Sequence, residues 1–557
     1  MDEMIISRYK QWLEFDNKTG HELLAIQDDK EIADRFYRNL EFGTGGLRGV
    51  MGAGTNRMNR YTVRRATLGL ARFLLQTGHK RRRGETNVVI AYDSRNQSRE
   101  FALEAAGVLC AAGIAVNVFD QLMPTPVLSF AVRHLGCQAG IVITASHNPK
   151  EYNGYKVYDA TGCQILPDAA ALIIAEIGAI NDLLGIPVLA PSEAEQAGLL
   201  TWIGEEVLTA YLAKVQEQSL FTGQSDIKVV YTPLHGTGNR PVRRILDRFD
   251  VEVVKRQELP DGDFSTVRSP NPEERDALTL AIEEAKKLSA DLVLGTDPDC
   301  DRVGIAVHQN GDYLLLTGNQ IGALLVDFVV KNRVPSAASL TGVQPALVKT
   351  IVTNELGAQI GQKHGLLVDE TLTGFKYIGD KINQYQLSGD KSFVIGYEES
   401  FGFLIGTHAR DKDAVVASML IVEMAAWHRE QGRTLVDALA ELYAQYGYYL
   451  DVLDSFTLKG ADGARRIQEI MKEIRHKGNK LFPGSSVALI KDYEAGVDGL
   501  PRENVVKFIM NDESWVAIRP SGTEQKIKVY YSIKGEDKAE NDAKLKIYRD
   551  IFRSFVE

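Results

Sequence analysis

Short apolar segments that end in polar loops and are followed by amphipathic helices recur along this chain, and this alternation constrains the fold most strongly. Asn87–Tyr92 is the first such segment, and Ala115–Phe119 follows it after a predicted helix at about Ser98–Ala112. A second set begins at Lys228–Tyr231 and a third at Ala346–Val352. Strands that alternate with helices indicate α/β layers. The repetition suggests similar α/β units that arose by duplication.

The C-terminal part of the chain follows a different pattern. Asn504–Met510, Trp515–Ile518 and Lys526–Ile533 are predicted to form three neighbouring strands. In the last of these, apolar and polar residues alternate with a period of two, which is typical of a half-buried strand. A helix is predicted at Asp537–Val556. We therefore expect an α+β domain at this end of the chain.

The length and the changes of pattern together predict several domains within the α/β class. The 557 residues are too many for one hydrophobic core, since single cores stop growing at about 250–300 residues. The predicted domains are residues 1–205, 206–317, 318–445 and 446–557.

The charge balance argues against two classes of partner. Lys and Arg number 64 against 74 Asp and Glu, which gives a net charge of −10 and a pI near 5.6. Binding to nucleic acid or to an anionic membrane surface needs clustered positive charge. We therefore expect no nucleic-acid partner and no membrane partner.

The cysteines and the apolar segments predict a cytoplasmic protein. The four cysteines form no CxxC pair, so a zinc ribbon or a small disulfide framework does not fit and reduced thiols are expected. The N-terminus carries acidic residues where a signal peptide would carry basic ones. The longest apolar run, Ala105–Val116, is far shorter than the about 20 residues of a membrane span.

Four polar loops carry the candidate chemistry, and the first is Thr144–Pro149, directly after the apolar strand Gly140–Ile143. Ser146 lies at a strand end in a loop interrupted by Asn-Pro, where a ligand can approach its hydroxyl. The alternative is a Ser/Asn turn that satisfies only its own backbone. No partner acid suggests a Ser-His-Asp hydrolase and the G-x-S-x-G elbow is absent, so a nucleophile here would need another activation.

The second loop, GTDPDCDRVG, carries three carboxylates after an apolar strand. Asp297, Asp299 and Asp301 can converge on one hard cation. An EF-hand is excluded, because Arg302 and His308 stand where that motif has Gly and Glu. Mg²⁺ suits three such oxygens together with a phosphate oxygen. A solvated acidic turn is the alternative.

The third and fourth loops supply polar groups suited to a sugar and to a phosphate. Glu398 and Ser400 in GYEESFG can accept from and donate to neighbouring sugar hydroxyls, although a surface turn fits the same residues. Arg519–Glu524, RPSGTE, lies between two C-terminal strands. The planar fork of arginine matches phosphate oxygens, and hydroxyls and glycine amides add donors. An ordinary turn is the alternative here as well.

The four loops in this order resemble those of a known family. TASHNP followed by NGYK, then DPDCD, EESFG and RPSGT, is similar to the pattern of the α-D-phosphohexomutases, the phosphoglucomutase/phosphomannomutase group. The resemblance extends over roughly residues 42–530. It implies three similar α/β domains with mixed sheets and a smaller C-terminal α+β domain around a central cleft.

The resemblance also implies a reaction. Ser146 would carry a phosphoryl group, pass it to a sugar monophosphate, and receive the other phosphoryl group back after the bound bisphosphate turns round. For glucose, this interconverts α-D-glucose 1-phosphate and glucose 6-phosphate, with glucose 1,6-bisphosphate as intermediate and activator. Mg²⁺ would be held by Asp297, Asp299, Asp301 and a phosphoryl oxygen on Ser146.

The same resemblance implies further site residues. Arg48 in GLRG, Lys156 in NGYK and His147 would join Ser146 as catalytic residues, with Lys156 or Arg48 as the general acid/base. The residues implied to bind the substrate are Arg302, Thr373, Gly374, Lys376, Glu398, Ser400, Lys412, Arg519, Ser521, Gly522, Thr523 and Lys528. We expect small-molecule sugar phosphates as partners, and a monomer or a homodimer.

The sequence leaves alternatives for the sugar and for the activity. Phe401-Gly402 replaces the Gly-His pair of members that accept both mannose and glucose phosphates, which resembles the glucose-preferring branch. The opening FGTGGLRG–MGAG also resembles a subgroup that includes phosphopentomutases. Mannose and pentose phosphates are therefore alternative substrates. A metal-dependent aspartyl phosphatase with Asp297 as nucleophile and a non-catalytic sugar-phosphate sensor are the alternatives from other classes.

Overall fold

The computed structural model describes residues 2–43, 45–77, 85–333, 342–458, 460–484, 486–521 and 526–556. Within these residues the strands form four sheets, and successive sheets use successive parts of the sequence. We refer to the part of the chain that carries each sheet, with the helices given below, as the first, second, third and fourth units.

The first unit has a seven-stranded sheet in the order β1-β2-β6-β5-β3-β4-β7. Its strands are β1 (Phe42–Gly43), β2 (Gly46–Val50), β3 (Asn87–Tyr92), β4 (Ala115–Phe119), β5 (Ala139–Ile143), β6 (Tyr152–Asp159) and β7 (Leu200–Ile203). Its helices are Glu3–Leu13, Asn17–Leu24, Asp29–Phe36, Arg60–Thr77, Ser98–Ala111, Thr125–His134, Pro167–Gly178, Pro191–Gln196 and Glu205–Gln216.

The second and third units have smaller sheets. The second contains β8 (Lys228–Thr232), β9 (Asp250–Val253), β10 (Leu292–Thr296), β11 (Val303–Gln309), β12 (Asp312–Leu315), the helices Asn239–Ile245, Lys255–Glu258 and Thr279–Leu288, and the 3₁₀ helix Arg275–Leu278. The third contains β13 (Gln344–Thr350), β14 (Leu367–Thr371), β15 (Lys391–Glu398), β16 (Gly402–Ile405) and the helices Gly318–Arg333, Leu356–Lys363, Phe375–Ser388, Ala414–Arg429 and Leu435–Tyr446.

The same four-stranded arrangement recurs in the first three sheets, as β6-β5-β3-β4, β11-β10-β8-β9 and β16-β15-β13-β14. In each, a central strand has parallel neighbours on both sides, and one neighbour continues into an antiparallel hairpin. The prediction of three similar α/β domains with mixed sheets is confirmed. The hairpin connections are the serine loop (144–151), the metal loop (297–302) and the sugar loop (399–401).

These three loops share a backbone feature as well as a position. Each contains one residue other than glycine with a left-handed conformation: Ser146 at φ 52°, Cys300 at φ 53° and Phe401 at φ 61°. Such a conformation costs about 1–3 kcal/mol and persists only where the surrounding structure enforces it. The polar loops are therefore held tightly by their surroundings.

The fourth unit is an antiparallel sheet in the order β17-β21-β20-β19-β18. Its strands are β17 (Tyr448–Thr457), β18 (Val487–Asp492), β19 (Val506–Met510), β20 (Trp515–Pro520) and β21 (Lys526–Gly535). Its helices are Gly460–Lys477 and Lys538–Val556, with the 3₁₀ helix Gly478–Leu481. The three predicted strands are the central ones, whereas the outer strands β17 and β18 are more exposed and have a weaker apolar pattern.

Two further features are the apolar character of the helices and the state of the cysteines. In the residues that the structure describes, no helix has the length and the apolar character needed to cross a membrane. The four cysteines are buried free thiols: Cys110, Cys137, Cys163 and Cys300.

Buried Glu423, on helix Ala414–Arg429, joins the third unit to the first and second. Its Oε2 accepts hydrogen bonds from the backbone N–H groups of Leu220 and Phe221 at 2.7 and 3.2 Å. Its Oε1 accepts from Ser219 Oγ at 2.5 Å and from Arg248 Nη2 at 2.8 Å. One carboxylate thus satisfies donors from two other parts of the chain.

We expect Glu423→Ala to lower the free energy of unfolding by about 3 kcal/mol, because the substitution leaves Arg248 and two amides without their buried acceptor. The measurement is chemical denaturation, followed at the first cooperative transition. Glu430→Ala, an exposed glutamate just beyond the same helix, is the control and should change stability by less than about 0.5 kcal/mol. An equal effect of both substitutions would contradict this role of Glu423.

Candidate active site

Ser146 lies between the first and second units. Its Oγ donates a hydrogen bond to Oδ2 of Asp297 at 2.8 Å. Nδ1 of His147 is 3.3 Å from the same Oγ. Because the hydroxyl proton is directed to Asp297, we assign this ring nitrogen as a donor to Oγ. Ser146 is only 3% exposed, so its hydroxyl faces the metal loop rather than open solvent.

The metal loop contains three buried carboxylates. Asp297, Asp299 and Asp301 each offer one oxygen, and these oxygens lie within 4.8 Å of one another. Among the described residues, Oδ1 of Asp299 and Oδ1 of Asp301 have no hydrogen-bond partner. Burial and the neighbouring carboxylates raise the pKa of Asp297 well above its usual value. Unpartnered, mutually repelling oxygens of this kind fit a hard divalent cation.

Two ammonium groups partly neutralise the carboxylates. Nζ of Lys156, on β6, is 2.8 Å from Oδ2 of Asp299 and 3.4 Å from Oδ2 of Asp301. Nζ of Lys412, from the third unit, is 3.1 Å from Oδ2 of Asp301. Burial disfavours both ammonium groups, but the carboxylates outweigh it and raise the pKa of Lys156 and of Lys412. Both lysines therefore carry a proton.

His147 lies in the serine loop and Arg48 contacts that loop from β2. Burial lowers the pKa of His147 well below its usual value, and the positive charges of Arg302 and Arg48 lower it further. The imidazole is therefore neutral. Arg48, on β2, has an exposed side chain, and its Nη1 is 3.4 Å from Oδ1 of Asn148.

The metal loop and the sugar loop are in direct contact. The N–H of Val303 donates to the carbonyl of Phe401 at 3.2 Å, and Arg302 and Gly402 form an antiparallel bridge. The Arg302 guanidinium is paired with Glu273. Although burial opposes it, Glu273 and the metal-loop carboxylates raise the pKa of Arg302. Arg302 therefore brings a fixed positive charge to the junction of the two loops.

Two glutamates flank the start of the sugar loop. Glu398 is buried, and its Oε1 accepts from the backbone N–H of Gly374 at 2.9 Å. Glu399 accepts from Thr350 Oγ1 at 3.2 Å. Burial and the neighbouring Glu398 raise the pKa of Glu399 to about 7. Oγ1 of Thr373 is buried and, among the described residues, has no hydrogen-bond partner. Donors and acceptors suited to hydroxyl groups are thus grouped here.

Arg519 of the fourth unit faces the third unit. Its Nε donates to Oε1 of Glu503 at 2.7 Å. Burial, opposed by the charge of Glu503 and assisted by that of Arg519, lowers the pKa of Lys376 to about 8. Tyr530 interacts with both Arg519 and Glu399. The arginine is therefore close to Lys376 and to the sugar-loop region.

The remaining predicted site residues differ in how far the structure describes them. Ser400 is half-buried in the sugar loop. The N–H of Ser521 donates to the carbonyl of Lys526 at 2.8 Å, and Lys528 lies opposite Arg519 in the β20–β21 ladder. The predicted residues Gly522 and Thr523 lie outside the described residues.

Sequence reasoning missed several residues that hold these loops in place. Thr125 Oγ1 donates to Oδ2 of Asp299 at 2.9 Å, and Arg95 Nη2 donates to the carbonyl of Ser146 at 2.5 Å. A signal was present for Arg95, because the polar segment Asp93-Ser94-Arg95 follows directly after β3. Thr125 opens a helix before a proline, which indicates only a helix start.

The sequence has relatives among known protein families and among curated proteins. It matches the phosphoglucomutase/phosphomannomutase α/β/α domains I, II and III over residues 39–183, 209–311 and 317–446. A phosphoglucomutase of Staphylococcus epidermidis is 39% identical over 523 residues, covering 91% of this chain and 93% of that protein. A phosphoglucomutase of Staphylococcus aureus is 38% identical over 528 residues, covering 92% of each.

Solved structures show the same fold. The pp63/parafusin phosphoglucomutase of Paramecium, in its open form, has a TM-score of 0.70 at 19% identity, covering 93% of this chain and 96% of that one. A phosphoglucomutase/phosphomannomutase family protein of Burkholderia thailandensis has a TM-score of 0.68 at 17% identity, covering 92% of this chain and 97% of that one.

We expect Mg²⁺ to raise the melting temperature, because a cation removes the repulsion among Asp297, Asp299 and Asp301. At one hundred times its dissociation constant, a ligand stabilises the folded state by about 2.7 kcal/mol. In EDTA, Asp297→Asn should melt above the wild type, since the substitution removes one of the repelling charges.

The measurement is differential scanning fluorimetry in Mg²⁺ and in EDTA. Asp250→Asn, which changes an exposed aspartate of the same unit, is the control and should keep the wild-type response to Mg²⁺. If Mg²⁺ raised the melting temperatures of Asp297→Asn and of the control by the same amount, the three carboxylates would not bind the cation.

Proposed function

Since this chain belongs to the phosphoglucomutase/phosphomannomutase family, we propose that it interconverts α-D-glucose 1-phosphate and glucose 6-phosphate, the phosphoglucomutase reaction. The observation that carries the proposal is the 2.8 Å hydrogen bond from Ser146 Oγ to Asp297. It joins a serine to three carboxylates that fit a metal ion. The phosphoglucomutases that are 37–39% identical to this chain support the choice of glucose.

The proposed nucleophile is Ser146, phosphorylated in the resting enzyme. Transfer breaks the bond between Ser146 Oγ and phosphorus and forms a bond from phosphorus to a hydroxyl oxygen of the sugar monophosphate. The resulting glucose 1,6-bisphosphate turns round and returns its other phosphoryl group to Ser146. Mg²⁺ bound by Asp297, Asp299, Asp301 and a phosphoryl oxygen on Ser146 would neutralise the charge of the transferred group.

Lys156 is the proposed general acid and base. Its ammonium group, favoured by the raised pKa, would donate a proton to Ser146 Oγ as the bond to phosphorus breaks, and the resulting amine would take up the proton that the sugar hydroxyl loses. Neutral His147 donates through Nδ1 and fixes the orientation of Ser146 Oγ. Arg48 lies beside the serine loop, where its guanidinium can orient the incoming phosphoryl group.

The other loops are proposed to hold the substrate. Glu398 and Ser400 bind sugar hydroxyls, and Arg519 holds the phosphate that does not react in either orientation of the sugar. The remaining proposed substrate contacts are Arg302, Thr373, Gly374, Lys376, Lys412, Ser521, Gly522, Thr523 and Lys528.

The setting of the reaction is also part of the proposal. Glucose 1,6-bisphosphate serves as activator, and sugar phosphates are the partners rather than nucleic acid or a membrane. The enzyme is proposed to act in the cytoplasm as a monomer or a homodimer. The buried free cysteines support the proposed compartment. The proposed domain limits are residues 1–205, 206–317, 318–445 and 446–557.

Ser146→Ala should abolish turnover, because the substitution removes the hydroxyl beside Asp297 that is proposed to carry the phosphoryl group. Phosphorus NMR of glucose 1-phosphate with protein, Mg²⁺ and a trace of glucose 1,6-bisphosphate follows the reaction. The wild type should form glucose 6-phosphate only when the bisphosphate is present. A variant with a tenth of the wild-type rate would remove Ser146 from this role.

The same spectra separate the alternatives. Release of inorganic phosphate by Ser146→Ala would indicate a phosphatase that uses Asp297, and binding without conversion by the wild type would indicate a sensor. Mannose 1-phosphate and ribose 1-phosphate test the other sugars. We expect glucose 1-phosphate to have at least a tenfold higher kcat/KM than either, and a reversed order would replace glucose by the preferred sugar.

Arg519→Gln should raise KM for glucose 1-phosphate at least tenfold, because a charge-assisted bond to a phosphate contributes about 1.5–3 kcal/mol. Arg519→Lys keeps the charge but loses the fork, so its effect should be intermediate. Arg502→Gln, an exposed arginine nearby in sequence, is the control. Steady-state kinetics decide, and an unchanged KM in Arg519→Gln would exclude this arginine as the clamp.

A further inference from the structure

Arg95 makes an unusual set of contacts beneath the serine loop. Its Nη1 donates to the carbonyl oxygens of Pro149 and Tyr152 at 2.9 and 3.1 Å. Its Nη2 donates to the carbonyl oxygens of Ser146 and Asn148, both at 2.5 Å. One guanidinium thus binds four carbonyls at or beside a loop of eight residues, 144–151, that has no strand or helix of its own.

The guanidinium is itself held in place from the opposite side. Nε of Arg95 is 3.3 Å from Oδ2 of Asp93, and both side chains are fully buried. Oδ1 of Asp93 accepts from the N–H of Arg95 at 2.9 Å and from Ser98 Oγ at 2.7 Å. The ring of Phe264, from the second unit, lies 4.9 Å from the guanidinium carbon. The fork therefore has little freedom to move.

Ser146 is the residue of this loop that most needs such support. Its φ of 52° lies in a region that costs about 1–3 kcal/mol for residues other than glycine. The direction of its Oγ toward Asp297 depends on that conformation. A bond to the carbonyl of Ser146 itself fixes the adjacent peptide plane and so constrains the direction of the Cα–Cβ bond from which Oγ projects.

We propose that Arg95 is the positioning residue for the nucleophile: it cross-links the serine loop through four carbonyls and holds Ser146 Oγ in line for phosphoryl transfer. This inference rests on the proposed function of Ser146. The consequence is a rate effect, since a misplacement of a reacting atom by about 1 Å reduces turnover by about a hundredfold. The Arg95 side chain is fully buried, so we expect the affinity for the sugar phosphate to be unchanged.

Arg95→Lys is the informative variant. The lysine keeps the positive charge beside Asp93, but its single nitrogen cannot reach four carbonyls. Arg57→Lys is the matched control, because Arg57 is also buried, lies in the same unit, and donates to a carboxylate and a carbonyl away from the serine loop. Both variants lose a buried guanidinium, but only one releases the serine loop.

The measurements are kcat and KM for glucose 1-phosphate, and the single-turnover rate at which glucose 1,6-bisphosphate phosphorylates the dephosphorylated enzyme. For Arg95→Lys we expect both rates to fall at least thirtyfold with KM within threefold of the wild type. Arg57→Lys should keep both rates within threefold. Thermal unfolding shows whether the two variants are destabilised to a similar extent.

Each outcome decides the matter. Rates of Arg95→Lys within threefold of the wild type, or a loss equal to that of Arg57→Lys, would overturn the proposal. If Arg95→Lys does not fold, Asp93→Asn is measured in its place. A fall in its kcat of at least fivefold at unchanged KM supports the proposal, and an unchanged kcat overturns it. Absence of turnover in the wild type would instead refute the proposed function.

Discussion

The repulsion among three buried carboxylates is the constraint on which the candidate active site depends. Asp297, Asp299 and Asp301 lie within 4.8 Å of one another, and such a group survives in a folded protein only with counter-charges nearby. Lys156 comes from the first unit and Lys412 from the third, and both pair with these carboxylates. Because the carboxylates of this second-unit loop must be neutralised, the first and third units both contact it through a lysine. In the proposed reaction, a divalent cation would share that task with the lysines.

The repeated sheet arrangement explains how three separate loops meet. Each loop connects two antiparallel strands, and the first of these strands lies next to the strand that has parallel neighbours on both sides. Packing of similar units side by side therefore places similar edges together. The direct contacts confirm this, since Ser146 reaches Asp297, and the N–H of Val303 reaches the carbonyl of Phe401. Ser146, the three carboxylates and the polar groups of the sugar loop become neighbours because each loop occupies the same place in its own sheet.

The sequence predicted the elements with strong periodicity and the positions of the polar loops. Buried apolar strands such as β3 and β10, and the alternating strand β21, were recognisable from local pattern alone. The outer strands β17 and β18 were not, because an exposed edge carries few apolar residues. Contacts between distant residues were also out of reach. No local pattern shows that Thr125 donates to Asp299 or that Glu503 pairs with Arg519, since partners of this kind are chosen by tertiary packing.

The pairing of Arg519 with Glu503 has a consequence for the phosphate binding proposed for the fourth unit. The guanidinium already has an anionic partner, since its Nε is 2.7 Å from Oε1 of Glu503. A phosphate that binds at the same edge of the guanidinium would therefore displace the carboxylate. Dissolved salt weakens the ion pair and the complex in the same direction. We therefore expect the affinity of the proposed clamp to be less sensitive to ionic strength than the affinity of a solvated arginine for the same phosphate.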